Sequence, residues 1–180
     1  MTLPAPVQVF GADEQDAVHV DVLRFVRLAQ LVLTEERAPT DAELAVIFVD
    51  EQAIADLNER FLETAGPTDV LAFPLDDDVS PGGRQPDEGG RGPGSSPEPT
   101  DPPTVLGDVV VCPAVAARQA TQHGHTVDDE LSLLVVHGVL HLLDYDHAEP
   151  DQAERMRRRE RELLDRFARG EAGEAPGSPA

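Results

Sequence analysis

The chain has one cysteine, no tryptophan and no lysine among its 180 residues. A lone cysteine cannot close an internal disulfide, which excludes a stapled secreted scaffold and points to a reducing compartment. Basic residues are few: 14 arginines face 35 acidic residues, for a net charge of −21. Such acidity argues against indiscriminate binding of polyphosphates over the whole surface, because that needs many phosphate-facing cations. Long apolar runs are missing too. The longest, residues 131–143, is too short to span a bilayer and contains two histidines. Residues 1–15 have neither a basic start nor an apolar stretch, so no signal peptide is expected and a cytoplasmic location follows.

Composition shifts sharply after Asp78. Residues 80–103 contain no aliphatic or aromatic side chain, and 16 of the 24 are Pro, Gly or Ser. Such a segment cannot bury enough apolar surface to offset its ordering entropy, so a disordered insertion is expected at about 79–104. Residues 170–180 have the same character and are expected to form a disordered tail. The remainder of 1–169 is expected to be a single domain. It carries about −14, because residues 76–103 hold −5 and the tail −2.

The domain alternates between the periods of strands and helices. Strands are predicted at 7–10, 44–49, 68–74 and 105–112. Helices are predicted at 21–37, 51–62, 113–122, 127–143 and 151–169. Asp50 stands where a helix N-cap belongs, and Pro113 suits a first helical turn. The fold class is α+β, with strands and helices interleaved first and helices dominating the end.

Three of the six histidines fall within the run HGVLHLLDYDH, at His137, His141 and His147. His137 and His141 are four apart and share a helix face. Nine of the thirteen residues from 131 to 143 are aliphatic, so this helix is expected to be buried nearly all round. Unpartnered burial of an imidazole costs on the order of 1–3 kcal/mol, which calls for hydrogen-bond partners or a metal. Imidazoles at i, i+4 and i+10 can converge on one divalent ion, and zinc suits that donor set best. Three protein ligands leave a fourth position for water, which points to hydrolysis. Gly138 stands where zinc peptidases of the H-E-x-x-H type carry their glutamate base, which argues against that chemistry. His19 and His123 read as surface residues, and His125, near the start of the histidine helix, as a structural residue, with a helix cap or a supporting contact to the metal site as alternatives.

HGVLHLLDYDH resembles the signature of the YbeY family of bacterial zinc-dependent endoribonucleases. Further blocks follow in family order: Leu57-Asn58 with Pro67-Thr68-Asp69-Val70-Leu71-Ala72-Phe73-Pro74, then Leu106-Gly107-Asp108-Val109-Val110, then Gly124-His125 with Glu130-Leu131. The resemblance implies a small mixed sheet packed against helices, and one Zn2+ ion held by His137, His141 and His147. It also implies an endoribonuclease cleaving single-stranded ribosomal RNA during small-subunit 3′-end maturation and ribosome quality control. The expected partners are ribosomal RNA and the ribosome or its assembly factors, with no membrane or DNA partner.

Three positions depart from the family pattern. Asp144 replaces a glycine at the end of the histidine helix, where a left-handed residue would swing His147 back; Asp tolerates that conformation at a cost of about 1 kcal/mol. Ala72 replaces a serine. Leu62 occupies the place of an arginine associated with RNA cleavage, and Arg60, about 200° away around a helix, does not simply replace it. No catalytic side chain is assigned, so two rival classes stand: another zinc hydrolase such as a metallopeptidase, and a non-catalytic zinc-containing ribosome-assembly factor.

Other residues carry weaker signals. Asp69 and Asp108 are candidates either to orient a ligand histidine or a water or to serve at a strand edge or turn. Asp146 is a candidate to support the site from beside His147, and Cys112 reads as a buried core thiol. Seven arginines lie between Arg155 and Arg169, where the local charge is +4. They are expected to form a solvated helix face with pairs Glu154–Arg158, Glu162–Arg166 and Asp165–Arg169, compatible with RNA phosphate contact. Met156, Leu163 and Phe167 would form the buried stripe of that helix.

Overall fold

Side chains from Ala42 to Phe48 are fully buried at every second position and partly buried between, as a strand with one face in the core and the other more thinly covered shows. In the computed structural model, which describes residues 7–75 and 103–173, this strand lies inside a four-stranded sheet. The elements are β1 (Gln8–Asp13), α1 (Val22–Glu35), β2 (Ala42–Phe48), α2 (Glu51–Leu62), β3 (Val70–Pro74), β4 (Thr104–Val111), α3 (Pro113–His123), α4 (Val127–Leu142) and α5 (Pro150–Gly173). The sheet order is β1-β2-β4-β3. β1, β2 and β4 are parallel, and β3 closes one edge antiparallel to β4. The fold is thus α+β, a small mixed sheet packed against helices, as the sequence implies. Most of the expected insertion and the end of the expected tail lie outside the described residues, while residues 170–173 continue α5.

Local signals explain most boundaries. The Asp21 and Asp50 carboxylates accept the backbone N–H of Arg24 and Ala53 and so cap α1 and α2. Pro113 starts α3. Thr126, not His125, caps α4, in a reciprocal box with Asp129. In β4, Leu106 is an extra residue opposite the Glu43–Leu44 step. Gly107 beside it has φ 135°, and a Cβ there would lie 2.1 Å from the Phe73 carbonyl oxygen, so only glycine serves.

Two apolar layers sandwich the sheet. On one face Leu44, Val46, Phe48, Val109 and Val111 pack with α1, α4 and the stripe Met156, Leu163 and Phe167 of α5. On the other, Val49, Leu71, Val110 and Cys112 meet Ile54 and Leu57 of α2. Cys112 is fully buried, as expected of a core thiol, and burial raises its pKa.

The arginine helix corrects one expectation. Among the described residues none of the three i, i+4 pairs forms. Arg159 and Arg166 instead pair with Glu36 and Glu35 at the end of α1, and Arg161 reaches back to Glu154 at 3.7 Å. Neighbouring helices offer partners that an isolated helix surface lacks, and these compete with the local pairs.

α4 carries ten buried residues and lies directly on β4. At Gly138 the two come so close that a Cβ would sit 2.5 Å from Cγ1 of the buried Val109. A glutamate at 138 is therefore excluded by packing as well as by identity. Gly138→Ala is expected to push α4 off the sheet and cost about 1–3 kcal/mol despite the higher helix propensity of alanine. A fall in Tm checks this; an unchanged or raised Tm would show that the helix has room to spare.

Candidate metal centre

The site is made by the way α4 stops. After the cap Leu143, the N–H of Tyr145 donates to the Leu140 carbonyl at 3.0 Å and that of Asp144 to the His141 carbonyl at 3.2 Å. These bonds form a Schellman motif, which needs a left-handed residue at Asp144, and its φ is 65°. Aspartate thus adopts the conformation expected of the family's glycine. The Asp146 carboxylate then accepts the backbone N–H of His147 at 2.7 Å and of Ala148 at 3.1 Å. These two bonds hold its pKa below the ordinary carboxylate range. Asp146 therefore shapes the turn that returns His147, a role through the backbone.

Tyr145 anchors this turn to the body of the protein. Its hydroxyl donates to Glu36 at 2.7 Å, and Arg159 donates to the other oxygen of the same carboxylate. Burial, followed by the Glu36 bond, raises the tyrosine pKa. One glutamate at the C-cap of α1 thus ties together the turn and α5.

The outcome is convergence. One ring nitrogen from each of His137, His141 and His147 lies within 4.8 Å of the others. The Nε2 atoms of His137 and His141 are 3.1 Å apart. A tetrahedral ion with bonds of about 2.0–2.1 Å separates its ligand atoms by roughly 3.3 Å, so these residues fit a single zinc-like ion. His137 and His141 are half-buried and His147 is exposed, which leaves one side open to solvent. Burial, then the neighbouring His137 and His147, lowers the His141 pKa from its usual 6.5. It is neutral at pH 7, the state a ligand needs.

His137 Nδ1 is 2.7 Å from Glu160 Oε1. The ring donates its N–H there, which turns Nε2 inward and raises its basicity. Glu160 is the functional residue missed by the sequence reading. A signal existed: Met156, Glu160, Leu163 and Phe167 are spaced i, i+4, i+7 and i+11, so an acid sits within an apolar stripe, and it is only 7% exposed.

The other candidates lie elsewhere. Asp69 accepts from Val70 N and Gln119 Nε2, bracing α3 against β3. Asp108 is exposed on β4 opposite Phe73. Among the described residues neither is hydrogen-bonded to the three histidines. Leu62 ends α2 and is 56% exposed, while Arg60 lies over the ring of Phe61. His19 is exposed, as expected. His123 and His125 are exposed as residues but both reach buried Glu130, an arrangement the sequence reading did not anticipate.

Comparison with known proteins identifies the family. The family described as Endoribonuclease YbeY matches residues 11–168. The chain belongs to the YbeY family. It is 46% identical over 150 residues to an endoribonuclease YbeY of Thermobifida fusca, covering 83% of this chain and 88% of the relative. It is 47% identical over 158 residues to that of Frankia casuarinae, covering 87% and 72%. A solution structure from Thermotoga maritima superposes with a TM-score of 0.53 at 24% identity over 95% of this chain and 99% of that one, a likeness of fold.

Glu160→Gln is expected to weaken metal binding by about 10- to 100-fold, because an amide holds the His137 ring less strongly than a carboxylate. Competition against a chromophoric chelator measures this. Unchanged affinity would remove Glu160 from the site.

Proposed function

We propose that this chain is a zinc-dependent endoribonuclease that cleaves single-stranded regions of ribosomal RNA in small-subunit 3′-end maturation and ribosome quality control. It would work in the cytoplasm with the ribosome or its assembly factors as partners. The observation that carries this reading is the convergence of His137, His141 and His147 in a chain of an endoribonuclease family. Among the described residues no helix is long and apolar enough to cross a membrane.

Three imidazoles favour zinc over the oxygen-seeking magnesium and calcium. A zinc ion held there would supply a Lewis acid for a phosphoryl oxygen and lower the pKa of water toward neutrality. The chain's own side chains prepare the site. Burial keeps His141 unprotonated, Glu160 orients His137, and the Asp146 turn returns His147 to the cluster.

Substrate phosphates would bind along the turn that joins His141 to His147. A cleft of about 470 Å³ runs between the Leu143–Asp146 turn and α5, with Arg155, Arg158 and Arg159 on its wall. Arg159 is engaged by Glu36 and Glu162. Arg155 and Arg158 make no ion pair among the described residues, so their guanidinium groups are available to a phosphate backbone. Asp144, Asp146 and Glu162 line the same cleft, so the two arginines would act as individual phosphate contacts and not as a broad positive field.

Cleavage of a ribosomal RNA precursor by the purified protein tests the proposal. Chelation is expected to abolish cleavage, zinc to restore it, and His141→Ala to lose it irreversibly; mapping the product ends identifies the attacking oxygen. Peptide turnover lost in His141→Ala, with RNA untouched, would overturn the reading in favour of a metallopeptidase. A second reading, a non-catalytic assembly factor, is favoured by one observation: exposed Leu62 stands where the family carries an arginine. Leu62→Arg is expected to change RNA cleavage less than threefold if Arg155 and Arg158 supply the phosphate contacts. A gain of more than tenfold would show that the natural chain is catalytically impaired.

A further inference from the structure

A second group of metal-type donors lies at the other end of α4. His123 closes α3, left-handed Gly124 (φ 74°) turns the chain, and His125 follows just before α4 begins. Glu130 comes from the first turns of α4. His123 Nδ1 lies 3.2 Å from Glu130 Oε2, and His125 Nε2 contacts that same oxygen. The two rings meet edge to face, with centroids 5.5 Å apart.

We propose that His123, His125 and Glu130 form a second divalent-metal site, which takes zinc or a similar borderline ion. All three donors lie within 4.8 Å of one another. Two imidazole nitrogens and a carboxylate oxygen are a donor set for zinc, nickel, cobalt or iron(II), and a poor one for magnesium. The 3.2 Å separation of His123 Nδ1 and Glu130 Oε2 is near the roughly 3.3 Å edge of a tetrahedral zinc site, and His125 would draw back from the same oxygen to admit the ion. Glu130 is the deciding residue. Its side chain is 3% exposed, whereas those of His123 and His125 are 56% and 34% exposed. A buried carboxylate needs a cation or several donors. Both rings meet at one carboxylate oxygen, so a single ion placed among them would reach all three donors.

The site differs from the histidine triad in origin and in place. Gly124-His125 and Glu130-Leu131 belong to the family-like blocks, but His123 lies outside them. It turns a histidine–glutamate pair into a three-donor set. Glu130 and His137 are seven residues apart on α4, about 10 Å along the axis. Metals that share a reaction stand about 3.5–4 Å apart, so this ion would not act with the first on one phosphate. It would clamp the end of α3 to the start of α4. The positive end of the α4 dipole opposes a cation there, and Asp128, Asp129 and Glu130 in the first turn offset it. The exposed edge at His123 predicts weaker binding than at the triad.

Zinc titration of the full-length, chelator-stripped protein tests this, with bound metal counted against a chromophoric competitor. The wild type is expected to bind two equivalents, the second more weakly. The exposed His123→Ala variant should retain the tight equivalent and lose at least tenfold in affinity for the weak one. The triple alanine variant at His137, His141 and His147 should retain only the weak one, with circular dichroism confirming that it is folded. Saturation of the wild type at one equivalent would overturn the proposal, as would a second equivalent that His123→Ala leaves unchanged. Neither result bears on RNA cleavage at the triad, so the two proposals fail separately.

Discussion

The histidine cluster depends on how closely α4 lies against β4. Gly138 permits that approach, because any Cβ at this position would enter the Val109 side chain. The contact sinks α4 into the core until ten of its residues are buried. Its polar rings then cannot rely on water alone and must find partners within the protein. His137 finds Glu160, and His141 meets His137 and the backbone of Tyr145. The same missing side chain removes the glutamate base of H-E-x-x-H peptidases. One packing contact thereby buries the ligand helix and narrows the chemistry available to it.

Carboxylates do much of the structural work in this acidic chain. Glu160 orients a ring of the triad, Glu130 collects two rings at the far end of the same helix, and Glu36 joins the turn after α4 to α5. Each is shielded from water, where a charge interacts more strongly than on an open surface. The net charge of −21 thus describes the sum of the chain and not its local fields. The arginines of α5 are divided. Arg159 and Arg166 secure the fold against α1, whereas Arg155 and Arg158 border the cleft beside the triad.

Local chemistry was legible in the sequence. Asp50 marked the start of α2 at its observed position, and Pro113 opened α3 where expected. Asp144 was readable as a left-handed residue because the family it resembles carries glycine there. The i, i+4 acid–arginine pairs of α5 failed for a plain reason. Helical spacing states which side chains are neighbours on one helix, not whether α1 presents a better carboxylate. Glu160 escaped notice because its stripe was read for its apolar members, although an acid within such a stripe is itself a sign of a buried partner.

The sequence by itself determined the periods of the helices and strands, the spacing of three histidines around a chain reversal, and the fold class. These follow from backbone geometry and from residues within about a dozen positions of one another. Only the tertiary structure decided which side chains complete the sites: Glu160, 23 residues beyond His137, and Glu36, 109 residues before Tyr145. The antiparallel placement of β3 at the sheet edge was decided there too. Such pairings depend on how whole elements pack, and no local pattern encodes the distance between two surfaces that meet only when the core closes.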